Sequence, residues 1–131
     1  MKIEHVNITV SDPDRTAILM QKLFGWHIRW RGPALNNGQT IHVGTDDQYL
    51  ALHTGPMVMC PPEGFTKGLP LNHIGIVVDD LDTVETLVLA AGFAPFNHAA
   101  YEPGRRFYFL DHDRIEYEIV SYVPGLCHPR A

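Results

Sequence analysis

Eight of the 131 residues are histidine, and these are the side chains best suited to chemistry in this sequence. Imidazole titrates near neutral pH, so it can carry a proton or offer a lone pair to a metal ion. It is also a common hydrogen-bonded surface or core group, so position has to decide between these uses. His5 and His73 head two matching segments, Glu4-His5-Val6-Asn7-Ile8-Thr9-Val10-Ser11-Asp12-Pro13-Asp14 and Asn72-His73-Ile74-Gly75-Ile76-Val77-Val78-Asp79-Asp80-Leu81-Asp82. The offset is 68 (5 to 73), and it also carries Asp12 and Asp14 onto Asp80 and Asp82. Near the end of the chain, Glu116 and Glu118 alternate with Ile115, Tyr117 and Ile119. Strand side chains alternate between faces. His5, Asn7 and Thr9 therefore share one face, with Val6, Ile8 and Val10 on the other. His73, Gly75 and Val77 are the equivalent set, and Glu116 and Glu118 share a face. Ligand-capable and apolar residues separate by parity.

These residues need elements to position them, and each half of the chain supplies the same series. Residues 3–10 alternate, with Ile3, Val6, Ile8 and Val10 apolar, and read as a strand. Asp12-Pro13 starts a helix, because a carboxylate accepts from the free amides of the first turn and proline there loses no needed donor. Leu19, Met20, Leu23 and Phe24 recur at helical spacing, and Gly25 supplies a left-handed stop. Strands follow at about 27–31, 39–44 and 48–54. The second half repeats the series: a strand at 72–78, a helix at 81–91 with Leu81, Val84, Leu87, Val88 and Ala91 on one face, Gly92 as the stop, and strands near 94–98, 105–110 and 115–121. Residues 56–70 hold Pro61-Pro62, Gly64 and Gly68, show no period and read as a linker. The expected fold class is α+β: two βαβββ repeat units, 3–55 and 71–122, making one domain over 1–131. Half-units of about 50 residues bury too little surface to stand alone. Residues 123–131, with Pro124, Gly125 and Pro129, read as a tail.

Composition excludes several classes of function. The hydrophobic fraction of 45% and charged fraction of 19% are those of a globular protein, not a disordered one. Ten basic against 15 acidic residues give a net charge of −5, and no basic cluster extends beyond Arg105-Arg106, which argues against nucleic acid. No apolar run approaches the roughly 20 residues that span a bilayer. Cys60 and Cys127 can form at most one disulfide, and the opening residues lack an apolar signal core, so a cytoplasmic, reduced protein is expected.

The two openings, together with Phe107-Tyr108-Phe109-Leu110-Asp111-His112-Asp113 running into Ile115-Glu116-Tyr117-Glu118-Ile119, resemble the vicinal-oxygen-chelate superfamily of glyoxalase I, bleomycin- and fosfomycin-resistance proteins and extradiol dioxygenases. The resemblance covers nearly the whole chain. It implies one cupped mixed sheet with helices on its outer face and a divalent metal inside the cup. Carried over by position, the metal ligands are His5, His73 and Glu118. The family's fourth position is a glutamate on the last strand of the first unit, and an offset of 67 (51 to 118) puts Ala51 there. The implied site is two histidines and one carboxylate with open positions, a set that suits Fe(II) and also holds Zn, Mn or Ni. His53, two residues beyond Ala51, is a candidate fourth ligand or proton carrier, and Tyr49 and Glu116 are further candidate catalytic groups. A second departure is Asp111-His112-Asp113-Arg114, where the family usually reads Asp-Pro-Asp-Gly, so a different turn is expected there.

Fold resemblance alone does not choose a reaction. The expected function is a divalent-metal-dependent enzyme, a lyase or isomerase or a ring-cleaving oxygenase, acting on a small molecule with adjacent oxygens. The alternative is a metal-free protein of the bleomycin-resistance type that sequesters a ligand. A homodimer is implied by the resemblance. His42 is read as a wall residue of the cup, and His27, His98, His112 and His128 as solvated. Trp30, Tyr101, Phe107 and Phe109 are read as core or as an apolar pocket lining, and Arg105 and Arg106 as a solvated pair or an anion-binding pair.

Overall fold

The structure, a computed structural model, describes residues 1–34, 38–55, 70–101 and 104–122. Most of the expected linker, the expected tail, Cys60, Cys127, His128 and the side chain of Tyr101 lie outside the described residues. The chain divides into two compact units, Met1–Gly64 and Phe65–Ala131. No helix among the described residues is long and apolar enough to cross a membrane.

The first unit runs β1 (His5–Thr9), α1 (Pro13–Phe24), β2 (His27–Pro33), β3 (Gln39–Gly44) and β4 (Tyr49–Thr54). Its sheet has the order β1-β4-β3-β2, parallel between β1 and β4 and antiparallel elsewhere. The Asp12 side chain caps α1 by accepting from the Arg15 amide at 3.2 Å, Pro13 follows it, and Gly25 ends the helix at φ +68°. Ala17, Leu19, Met20 and Leu23 are buried, and α1 packs on β3 and β4, whose Ile41, Val43, Leu50 and Leu52 are also buried. In β1 only the late half joins this core. Ile8 and Val10 are buried, while Val6 is exposed on this edge strand and Ile3, ahead of the strand, is exposed as well.

The second unit runs β5 (Ile74–Val77), α2 (Leu81–Ala90), β6 (Phe96–Tyr101), β7 (Gly104–Leu110) and β8 (Glu116–Tyr122), with sheet order β5-β8-β7-β6. The first strand is shorter than the expected 72–78, so Asn72 and His73 stand just ahead of it. Asp80 caps α2 by accepting from the Thr83 amide at 3.1 Å and its hydroxyl at 2.8 Å. The buried stripe of α2 is Leu81, Val84 and Val88. Leu87, expected on that face, is exposed, because six residues at about 100° each carry it roughly 120° round from Leu81. Tyr117, Phe107, Phe109 and Ile119 are fully buried, with Phe109 and Tyr117 stacked at 5.2 Å. The two phenylalanines are therefore core and do not line a pocket. Trp30, by contrast, is 47% exposed.

The turn before β8 keeps a left-handed residue where the family usually has glycine: Arg114 has φ +61°. The Asp111 amide donates to the Ile115 carbonyl and the Arg114 amide to the Asp111 carbonyl, both at 3.0 Å. The Asp111 carboxylate accepts from the amides of Asp113 and Ile115 at 2.9 and 3.0 Å. An L side chain in this region carries a penalty of about 1–2 kcal/mol. Arg114→Gly is thus expected to stabilise the protein by about 0.5–1 kcal/mol after glycine's own entropic cost. Urea unfolding checks this, and a loss of stability would show that the arginine side chain outweighs its backbone strain.

Candidate metal centre

In the second unit, burial of Tyr117 and Ile119 against α2 turns Glu116 and Glu118 to the opposite face of β8. Glu118 lies between Gly75 of β5 and Tyr108 of β7. Its Oε1 is 3.0 Å from His73 Nε2, and its Oε2 accepts from Arg106 Nη1 at 2.8 Å. The other ring nitrogen of His73 donates to Asn72 Oδ1 at 2.8 Å, and the Tyr108 ring meets the imidazole edge-on at 5.7 Å. Glu118 and Arg106 are 13% and 14% exposed in their side chains, and His73 is 33%. A Cβ built on Gly75 would meet nothing within 4 Å, so the space beside Glu118 is open.

Arg106 is the site residue that sequence reasoning left undecided. Strand alternation splits the Arg105-Arg106 pair. Arg105 turns to the helix side and pairs with Asp82 of α2 at 2.9 Å, while Arg106 sits diagonal to Glu118 and neutralises it. The alternation was present in the sequence, but only the β7–β8 register identifies the carboxylate that Arg106 reaches.

This donor set fits a divalent ion. Two ligands at 2.0–2.2 Å on one ion stand about 3.0–3.4 Å apart, and His73 Nε2 and Glu118 Oε1 are at that spacing without adjustment. The contact from Nδ1 to Asn72 fixes the ring and leaves Nε2 to coordinate, as is usual behind a metal-bound histidine. Within either unit, no three His, Cys, Asp or Glu side chains among the described residues converge as a complete metal-binding group.

In the first unit, β1 and β4 pair His5 with Tyr49 and Asn7 with Ala51. The latter pair corresponds to Gly75 with Glu118, so the strand register of both units agrees with the sequence repeat. Ala51 is buried and offers no ligand. The polar face carries an aromatic ladder instead. His5 stacks on Tyr49 at 4.8 Å, Tyr49 on His42 at 4.6 Å, and His42 meets Trp30 at 5.1 Å. The Arg29 guanidinium lies 4.4 Å from the Tyr49 ring centroid. Glu4 Oε1 accepts from His5 Nδ1 at 2.9 Å and from the Tyr49 hydroxyl at 3.3 Å.

The electrostatics follow from these contacts. The hydrogen bond from His5 holds the Glu4 carboxyl below its ordinary range. Tyr49 is raised by partial desolvation and then by the Glu4 charge, so at neutral pH its phenol keeps its proton and serves as a donor. His42 is lowered by desolvation, then by His5 and Arg29, and stays neutral.

The other candidates are placed less favourably. His53 pairs with Thr9 and Thr40, four residues along the sheet from His5, or about 13 Å at the usual strand rise. Its Cε1 lies 3.1 Å from where a Cβ on Gly38 would be, so the imidazole packs at the far end of the hairpin. Glu116 opens β8 on the same face as Glu118 and is half-buried. His27 pairs with Asp46 at 3.4 Å, and His112 meets Phe93 edge-on at 4.8 Å. His98 lies on β6, the edge strand of its sheet. It pairs with Glu85 at 2.9 Å and stacks on Phe107.

Comparison with known proteins agrees with this architecture. A search of curated proteins found no significant match. Among solved structures, a glyoxylase/bleomycin resistance protein/dioxygenase domain from Frankia sp. EAN1pec superposes with a TM-score of 0.80 at 22% identity, covering 94% of this chain and 98% of that one. The fosfomycin resistance protein FosX from Listeria monocytogenes, complexed with Mn(II) and sulfate, gives 0.72 at 16% identity, covering 95% of each chain. A glyoxalase family protein from Enterococcus faecalis gives 0.72 at 17% identity, covering 91% of this chain and 96% of that one. The family profile that matches covers residues 2–119. The chain belongs to the Glyoxalase/Bleomycin resistance protein/Dioxygenase superfamily.

Proposed function

We propose that this protein is a divalent-metal-dependent enzyme acting on a small molecule with adjacent oxygens, by lyase or isomerase chemistry or by ring-cleaving oxygenation. The observation that carries the reading is the His73–Glu118 pair at 3.0 Å, with the outer atoms of both residues already engaged by Asn72 and Arg106. His5 is the third ligand by family resemblance. When bound, a divalent ion stabilises negative charge developing on substrate oxygens. The chain's own residues supply the rest. Arg106 neutralises Glu118. The Tyr49 hydroxyl and the Glu4 carboxylate it donates to form a pair for proton exchange, and the exposed Trp30 and half-buried His42 rings line the same face at 46° to each other. His53 and Glu116 are assigned supporting roles, proton exchange at the far end of β4 and a carboxylate at the rim beside Glu118. The FosX structure with Mn(II) supports a divalent ion within the superfamily.

The aromatic ladder favours a second reading, metal-free sequestration of a planar ligand by stacking. Metal analysis of untagged protein separates the two. The enzyme reading expects about one equivalent per chain, lost in His5→Ala, His73→Ala and Glu118→Ala. Less than about a tenth of an equivalent in the parent, with no gain on metal addition, overturns it. Sedimentation tests the homodimer that the resemblance implies.

A further inference from the structure

The two histidines at repeat-equivalent positions are held from behind by the residue that precedes each of them. Asn72 Oδ1 takes His73 Nδ1 at 2.8 Å, and Glu4 Oε1 takes His5 Nδ1 at 2.9 Å. The same contact, made twice by different side chains, marks a conserved geometry within this one chain. The acceptors differ in charge, and so do the opposite sides of the rings. In the second unit a carboxylate, Glu118, faces Nε2 of its histidine. In the first unit the equivalent position is Ala51, and the carboxylate stands behind the ring instead.

We propose that Glu4 is the positioning residue of His5: it holds the imidazole as the Nδ1–H tautomer and so leaves the Nε2 lone pair to coordinate, and Tyr49 holds Glu4. An ionised carboxylate can only accept, so the ring nitrogen facing it must carry the proton. Tyr49 adds two constraints. Its hydroxyl donates to the same Oε1 at 3.3 Å, and its ring stacks on His5 at 4.8 Å with 14° between planes. The β1–β4 register, which pairs His5 with Tyr49, places both. A charged acceptor makes a stronger bond than the amide of Asn72 and raises the basicity of the opposite nitrogen. Glu4 and His5 are 62% and 43% exposed in their side chains, so the effect is on orientation and donor strength more than on folding.

The consequence for metal binding rests on the reading of His5 as a ligand; the tautomer does not. Long-range proton–nitrogen NMR on the full chain at about pH 8, where an ordinary imidazole is neutral, reads the tautomer directly. His5 is assigned by the signals lost in His5→Ala. The parent is expected to show Nδ1–H at His5. Glu4→Ala is expected to shift the population to Nε2–H, and Glu4→Gln, which keeps an acceptor oxygen, to restore Nδ1–H. Titration with Mn(II) or Zn(II) is expected to show an affinity loss of about 10- to 100-fold in Glu4→Ala and a smaller loss in Glu4→Gln. Tyr49→Phe is expected to shift both readouts in the same direction by less. Nε2–H in the parent, or a tautomer unmoved by Glu4→Ala, overturns the proposal. A tautomer that moves while metal affinity does not supports the role of Glu4 and removes His5 from the ligand set.

Discussion

Glu118→Gln is expected to lower divalent-metal affinity by at least about 100-fold, because it exchanges an anionic ligand for a neutral one of the same shape. The substitution is nearly isosteric, so the loss reports charge rather than packing. It also removes the anionic partner of Arg106, a guanidinium only 14% exposed. Breaking one side of a buried pair costs more than the pair contributes, because the remaining charge keeps its desolvation penalty. A stability loss of about 1–3 kcal/mol should accompany the affinity loss, and Glu118→Ala should lose more, since it also opens a gap beside Tyr108. Competition against a chromophoric chelator measures the first effect and urea unfolding the second. Glu116→Gln is the control for an exchange of roles, and less than about a threefold change in affinity is expected there. If Glu116→Gln carries the large loss and Glu118→Gln does not, the ligand assignment on β8 is reversed.

Asp111→Asn should raise stability at alkaline pH and flatten its pH dependence. Asp111 is buried in the turn before β8, and burial pushes its carboxyl up to about 6 from an ordinary 3.8. The nearby Asp113 charge adds to this, while the amides of Ile115 and Asp113 and the Tyr117 hydroxyl act in the opposite direction. A raised folded-state value means the folded protein holds this proton more tightly than the unfolded chain does. The stabilising contribution is therefore present below about pH 4 and is lost as pH rises through about 6, a difference of about 3 kcal/mol. Asparagine mimics the neutral acid. Its oxygen still accepts from the two amides, and its NH₂ faces the Tyr117 oxygen that now donates to Asp111 at 3.2 Å. The variant should match the parent near pH 3, below the ordinary value, and exceed it by up to about 3 kcal/mol at pH 8. Urea unfolding at both pH values decides the matter. An equal pH slope in the two proteins would falsify the assignment of this linkage to Asp111.

Much of the fold was legible because its signals are local. Asp12-Pro13 and Gly25 bound α1 through cap chemistry that needs no tertiary partner. The strands expected at 39–44 and 48–54 are found at Gln39–Gly44 and Tyr49–Thr54, within a residue. The readings that failed depended on neighbours. Val6 follows the apolar parity of β1 yet is exposed on this edge strand, and Ile3, of the opposite parity, lies ahead of the strand and is exposed too. The apolar stripe of 81–91 that includes Leu87 is wider than the Leu81, Val84 and Val88 face that α2 buries. Arg114 was expected to change the turn, but the backbone keeps the left-handed conformation and the arginine adopts it.

The site divides in the same way. The sequence by itself determined the repeat, the equivalence of His5 and His73, and the face that Glu118 shares with Glu116, because strand period and a fixed offset are properties of the chain. Tertiary structure decided which atoms meet. Strand pairing set Glu118 against His73 and Arg106, sent Arg105 to the opposite face, placed Tyr49 on His5, and left His53 four residues away along the sheet. Register brings together residues dozens of positions apart, and no local propensity encodes it.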